Sequence, residues 1–203
     1  MTTLLDVKQA DRIGFFPLPF ASAVHDLSRF AWDGRIRISE LEPPTHIAPY
    51  AVAIDAEIAV GDEEVASGRL ILLHDPSGND LWGGDFRCVT FAQAEVGPEM
   101  VHDPFLADVG WSWLTDALQA RDADYTGASG TITTTASTPF GTKRDDPPQS
   151  QIEIRASWTP LLDEAHPLTQ HLDAWQDLLL QIAGLPAESD TVIPLAARSA
   201  ARR

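Results

Sequence analysis

The sequence is poor in cysteine, in long apolar runs and in basic residues. Cys88 is the one cysteine among 203 residues, so an intrachain disulfide is excluded, and with it the disulfide-stapled secreted folds. It lies in the apolar run 86–91, which predicts a buried hydrophobe rather than a reactive thiol. No run reaches the roughly 20 apolar residues of a membrane helix, and the first residues lack the regions of a signal peptide. We therefore expect a soluble, cytoplasmic protein.

The charge balance limits the classes of partner. The chain has 14 Lys and Arg residues against 30 Asp and Glu residues, which gives a net charge of −16. Nucleic-acid binding requires clustered Lys and Arg, and an anionic membrane surface repels an acidic protein. We therefore expect neither nucleic acid nor membrane as a partner. Thirty carboxylates make no single acid/base pair specific, and they favour a solvated surface.

Motifs that would name a reaction are missing from the sequence. There is no Gly-x-Gly-x-x-Gly, no Walker loop and no Gly-x-Ser-x-Gly. His166 and His171 are five residues apart, about 140° around a helix, which is poor spacing for metal ligands. The His-Asp neighbours at His25, His74 and His102 are interpreted as structural, because proline follows two of them in turn-like segments. We predict no catalytic residue, no cofactor and no metal.

Hydrophobic periodicity predicts a single α+β domain over residues 19–186, with a five-stranded, mostly antiparallel sheet and helices on one face. The even positions of residues 50–60 are apolar, which predicts a strand with one face on the core. The expected order is α-βββ-α-ββ-α, with helices over 20–32, 104–121 and from about 167, and strands over 50–60, 65–74, 81–95, 131–138 and 152–158. Residues 35–38 form a short additional strand in this interpretation. Residues 1–18 and 187–203 are expected to be flexible arms.

The predicted helix over residues 104–121 contains two tryptophans, two positions apart. Its apolar arc spans about 200°, which exceeds the stripe of roughly 100° that one sheet covers. Either the helix is deeply buried or one edge of it meets a partner. The candidate partner-binding residues are Trp111, Trp113, Leu114, Ala117 and Leu118.

Three segments resemble the signature segments of an actinobacterial family known as the domain of unknown function, family three thousand. They are residues 72–76 (Leu-Leu-His-Asp-Pro), 109–114 (Val-Gly-Trp-Ser-Trp-Leu) and 153–160 (Glu-Ile-Arg-Ala-Ser-Trp-Thr-Pro). The resemblance covers roughly residues 20 to 186 and implies a bacterial cytoplasmic protein without an assigned activity. The element order is also similar to that of type III secretion chaperones and YbjN-like proteins, which are small, acidic and often dimeric and which bind polypeptides.

These observations favour a non-catalytic protein-binding module, chaperone- or adaptor-like, whose partner is another protein or a second copy in a homodimer. The alternative is a small enzyme that acts on a cationic or neutral small molecule in a sheet-side pocket. A third hypothesis is an acidic mimic of nucleic acid. An enzyme requires a concave pocket, a binding module an exposed apolar patch, and a mimic carboxylates in rows.

Overall fold

The computed structural model describes residues 16–61 and 63–185, which form three helices and six strands. The helices are α1 (Leu18–Arg29), α2 (Leu106–Ala120) and α3 (Leu168–Ile182). The strands are β1 (Ile36–Leu41), β2 (Tyr50–Val60), β3 (Glu63–Asn79), β4 (Gly84–Glu95), β5 (Tyr125–Ser137) and β6 (Gln149–Pro160). Short 3-10 turns lie at Met100–His102 and Gly141–Lys143. None of the helices in these ranges is long and apolar enough to cross a bilayer.

The strands form one antiparallel sheet in the order β1-β2-β3-β4-β6-β5, so β1 and β5 are its edges. The α+β class is therefore confirmed, but the expected number of five strands is wrong. The sixth strand is β1, in which Ile36 pairs with Ile58 and Ile38 with Ala56. It corresponds to the short additional strand expected at residues 35–38 but extends to Leu41, and pairing with the long strand β2 stabilises it.

Residue parity separates the two faces of the sheet. Even-numbered residues of the paired strands face the helices, and Val52, Ile54, Ala56 and Ile58 are all buried, which confirms the predicted core face of β2. At the end of this strand Val60 is 54% exposed. Odd-numbered residues face the opposite side, which is called the open face below.

The two largest buried side chains, Trp158 and Trp175, anchor α3 to the sheet. The Trp158 indole N–H donates to His171 Nδ1 at 3.2 Å, and the Trp175 indole N–H donates to Thr90 Oγ1 at 2.7 Å. Gly68 provides the space for this helix, because a Cβ there would overlap the Leu179 side chain of α3. Buried indoles with satisfied N–H groups combine a large apolar surface with a fixed orientation.

Several predicted boundaries shift. α1 runs from Leu18 to Arg29 rather than over 20–32. β4 begins at Gly84 rather than at residue 81, because the amides of Trp82 and Gly83 donate to the Asn79 carbonyl in a turn. Cys88 is fully buried, as the apolar run around it predicts. The predicted terminal arms lie outside the described residues, apart from residues 16–18.

Candidate functional site

Helix α2 holds the five residues that the sequence singles out. Leu114 and Leu118 are completely buried and Ala117 is 9% exposed, so these three side chains belong to the core of the monomer. They are therefore not accessible to a partner in the folded chain. Trp111 and Trp113 are half-buried and retain some surface. Partner binding by this helix stays a prediction.

The most exposed apolar residues of this region were missed at the sequence level. Phe105, at the start of α2, is 67% exposed and Val109 is 41% exposed. Together with Trp113 they are spaced four residues apart, which aligns them along one side of the helix. The helical period could have identified this stripe. Val109 lies about 140° around the helix from the buried Leu114, which places it on the side away from the core.

Trp111 packs on the sheet instead. Its ring lies over Gly130 of β5, where a Cβ would be 2.8 Å from Trp111 Cζ3. Gly110, one residue earlier, brings α2 close to the sheet, where a Cβ would be 3.0 Å from Ile152 Cδ1 and 3.4 Å from Ile132 Cγ2. Trp111 and Gly110 therefore hold the helix against the edge strand.

The open face of the sheet is organised in three rows that cross all six strands. From β1 to β5, the central row holds Ser39, Asp55, Arg69, Phe91, Arg155 and Thr131. The apolar row beside it holds Leu41, Ala53, Ile71, Val89, Ser157 and Ser129. The outer row, on the other side, holds Arg37, Glu57, Ser67, Gln93, Glu153 and Thr133. The three helices pack against the opposite face.

The charges of the central and outer rows balance. Each of their three carboxylates lies within ion-pair distance of an arginine, with N···O distances of 3.2 Å for Arg37–Glu57, 3.5 Å for Arg69–Asp55 and 3.0 Å for Arg155–Glu153. The Arg155 guanidinium also lies 5.6 Å from the centre of the Phe91 ring. Such exposed pairs contribute little to stability. They do balance the negative charges of these two rows in a chain whose net charge is −16.

Arg87 adds a buried cation to the open face. Its guanidinium is bonded to four neutral oxygens of β5 and β6 and to none of the described carboxylates. The acceptors are the Gly127 carbonyl (2.9 Å) and the hydroxyls of Thr159 (3.0 Å), Ser129 (3.3 Å) and Ser157 (2.7 Å). Burial lowers the pKa of Arg87, but a guanidinium stays charged at any physiological pH. Arg87 therefore fixes β5 to the sheet and leaves a positive charge under this end of the face.

A shallow groove of about 670 Å³ lies on the open face over β3, β4, β6 and β5. Its floor includes Ile71, Val89 and Phe91, all half-buried, and its sides include Arg69 and Arg155. The groove therefore combines apolar surface with fixed hydrogen-bond donors. It can hold an apolar or amphipathic side chain, but it has no enclosed volume in which a reaction would be shielded from water.

A second groove, of about 580 Å³, lies between α1 and the segment that leads from β6 into α3. Three carboxylates line it, from Asp26, Asp163 and Glu164. Asp26 accepts the Leu168 backbone N–H at 3.2 Å, and Asp163 accepts the backbone N–H groups of Ala165 and His166, each at 2.8 Å. Two of the three carboxylates therefore already accept backbone hydrogen bonds that fix the local conformation of the chain.

The histidines do not assemble into a metal centre in the described ranges, where no group of three His, Cys, Asp or Glu side chains could hold an ion. His166 is half-buried beside Asp163, with Nδ1 2.9 Å from its carboxylate. His171 is buried under Trp158, and burial lowers the pKa of its imidazole to about 4. His74 is stacked between Phe20 and Phe86, and burial lowers its pKa too. Both buried imidazoles are therefore neutral at pH 7.

No curated protein and no solved structure matches the sequence. A family model described as a protein of unknown function (DUF3000) matches residues 16–192. That range contains β3 with residues 72–76, α2 with residues 109–114 and β6 with residues 153–160, the segments on which the resemblance was based. The chain therefore belongs to the DUF3000 family of proteins of unknown function.

Proposed function

We propose that this protein is a cytoplasmic, non-catalytic protein-binding module, adaptor- or chaperone-like, that binds its partner on the open face of the sheet. The observation that carries this proposal is the placement of all three helices on one side. The opposite side leaves Ile71, Val89 and Phe91 half-buried rather than covered. Apolar residues surrounded by polar ones on an uncovered surface are typical of a protein–protein contact.

The charge pattern supports a protein partner over a cationic ligand. The paired arginines and carboxylates of the central and outer rows offer both signs of charge at fixed positions. A protein surface can match such an alternating pattern, and the match confers specificity rather than raw affinity. The Arg155–Phe91 contact adds an aromatic and an arginine, two residue types that are favoured at binding hot spots.

The alternative functions have weaker support. A small enzyme would use the groove beside α1, but Asp26 and Asp163 are engaged there by backbone amides. A nucleic-acid mimic requires rows of carboxylates, whereas the central and outer rows of the open face each contain arginine as well as carboxylate side chains.

Site-specific photo-crosslinking in the native host tests the proposal. Benzoylphenylalanine is introduced at Ile71 or at Val89 on the open face, and at His25 on α1 or Gln119 on α2, both exposed, as the control. We expect one protein adduct from both open-face positions and not from the control positions. Equal adducts at all four positions, or none above background on the open face, would contradict the proposal.

A matched pair of substitutions then tests whether the contact is specific. Val89→Lys places a charge in the apolar row, and Gln119→Lys places the same charge on α2. We expect Val89→Lys to abolish capture of the crosslinked protein and Gln119→Lys to preserve it. Circular dichroism of both variants ensures that a loss of capture reflects the surface and not unfolding.

A further inference from the structure

Strand β5 is an unusual edge of this sheet. It has 13 residues, Tyr125–Ser137, and it borders β6 on one side only. None of its residues is charged and none is proline, whereas each of the other five strands contains charged residues. Among the described residues, no backbone hydrogen bond reaches its outer edge. Alternate N–H and C=O groups along that edge are therefore open to another strand.

The other edge of the sheet differs in each of these respects. β1 has six residues and includes Arg37 and Glu40. A short, charged edge is the usual protection against strand pairing. β5 has one such device, the irregularity between Thr126 and Ser129, and its remainder from Ser129 to Ser137 is regularly paired with β6.

We propose that β5 pairs antiparallel with β5 of a second copy, which joins two sheets into one continuous sheet about a two-fold axis. An antiparallel pair of identical strands is self-complementary and closes after two copies. This assembly differs from a dimer through α2, and it is independent of the proposed function, because it uses the strand edge and not the open face.

The charge distribution favours a second copy as the occupant of this edge. Two chains with a net charge of −16 each repel one another over most of their surface. At β5 no carboxylate enters the seam, so backbone groups can approach without the like-charge contacts that destabilise cross-strand pairs.

Charge complementarity selects the register, because an axis at Thr133, the centre of the regular segment, would align the two Glu153 side chains. An axis at Ile132 pairs Ser129 with Thr135, Gly130 with Thr134 and Thr131 with Thr133 of the second copy, and it places the two Ile132 side chains together. Within one chain, Thr131 lies beside Arg155 and Thr133 beside Glu153. Because Thr131 of one copy pairs with Thr133 of the other, Arg155 of the first copy is in line with Glu153 of the second across the two β5 strands. Shifting the axis to Thr131 would instead align the two Arg155 side chains.

Paired substitutions at positions 131 and 133 test both the contact and its register. Both threonines are exposed, so charged side chains are tolerated in the monomer. Thr131→Lys with Thr133→Lys places like charges opposite each other, and we expect it to weaken dimerisation about tenfold or more. Thr131→Glu with Thr133→Lys places opposite charges there and complements Arg155 and Glu153 within each chain. We expect that variant to remain dimeric.

Mass is measured by sedimentation velocity over a concentration series of the full chain, with folding checked by circular dichroism. Wild type and the control Ser39→Lys on β1 should reach twice the 22.1 kDa of one chain. Mixing the doubly lysine-substituted chain with a Thr131→Glu, Thr133→Glu chain should restore a dimer.

Hydrogen exchange gives a second readout that requires no substitution. The outward amides between Ser129 and Thr135 should exchange more slowly as the wild-type concentration rises. A wild type that stays monomeric, including one that captures only an extended peptide at this edge, overturns the proposal. The proposal is also overturned if the Thr131→Lys, Thr133→Lys variant has the same mass as a wild-type dimer. It is overturned too if the Thr131→Glu, Thr133→Lys variant is monomeric.

Discussion

Acid should destabilise this protein through His171, and the size of the effect can be worked out from the structure. The imidazole is 1% exposed, and its Nδ1 accepts the Trp158 indole N–H. Burial lowers its pKa from 6.5 to about 4. Because the pKa is lower in the folded state, the unfolded chain takes up a proton first as the pH falls. Stability is therefore full above pH 6.5 and decreases as the pH falls from 6.5 towards 4.

The free energy involved follows from linkage. One pKa unit corresponds to about 1.4 kcal/mol, so His171 alone lowers the free energy of unfolding by about 2 kcal/mol between pH 7.5 and pH 5, and by about 3 kcal/mol when the pH reaches 4. His74 acts in the same direction, because burial lowers its pKa too. Protonated His171 would also lose the lone pair that accepts the indole N–H of Trp158.

Urea unfolding at several pH values, with His171→Gln beside wild type, isolates this contribution. Glutamine can accept the indole N–H but cannot become charged. The stability advantage of wild type over the variant should therefore shrink by about 2 kcal/mol between pH 7.5 and pH 5. His25→Gln, in the exposed part of α1, is the control and should run parallel to wild type. Parallel pH profiles for wild type and His171→Gln would refute the reasoning.

Three further predictions concern the core. Ile54→Asp should unfold or aggregate the protein, because it buries an unpaired charge, whereas Asp55→Asn on the open face should change the melting temperature little. Equal losses of stability in the two variants would contradict the alternation of core-facing and open-face residues along β2. Gly68→Ala should cost about 1–3 kcal/mol in urea unfolding through overlap with α3, whereas Gly34→Ala, with nothing within 4 Å, should be neutral. Cys88 should resist thiol reagents until the chain unfolds, since burial raises the pKa of its thiol, and rapid native labelling would refute this.

The core was predictable from sequence where one period runs through a long segment. Val52, Ile54 and Ile58 alternate with polar residues over a full strand, so their burial could be predicted. For β1 the sequence indicated only the short segment 35–38 and left it out of the five-stranded sheet, because a run of six residues has no clear period without its partner. Its pairing with β2 is a long-range contact, and the pattern within the strand does not encode it.

The candidate site was harder to predict than the core. The sequence draws attention to Trp111, Trp113 and Leu114 because aromatic and apolar residues cluster there. The structure places Leu114 in the core and Trp111 on Gly130 of the edge strand. An apolar arc on a helix does not reveal how many elements cover it, and α2 contacts both α3 and β5. The open face was missed because its rows form only once the register of six strands is known.

Charge placement is the feature that best separates the proposed functions. A net charge of −16 predicts a uniformly acidic surface, yet Arg37, Arg69 and Arg155 neutralise the carboxylates beside them on the open face. Arg87 lies under the same face and is hydrogen-bonded to none of the described carboxylates. A mimic of nucleic acid would concentrate carboxylates on its binding surface. The proposed protein-binding role instead fits a partly apolar sheet face whose central and outer rows pair their charges, since a partner could pack on those rows without a large penalty for burying unpaired charge.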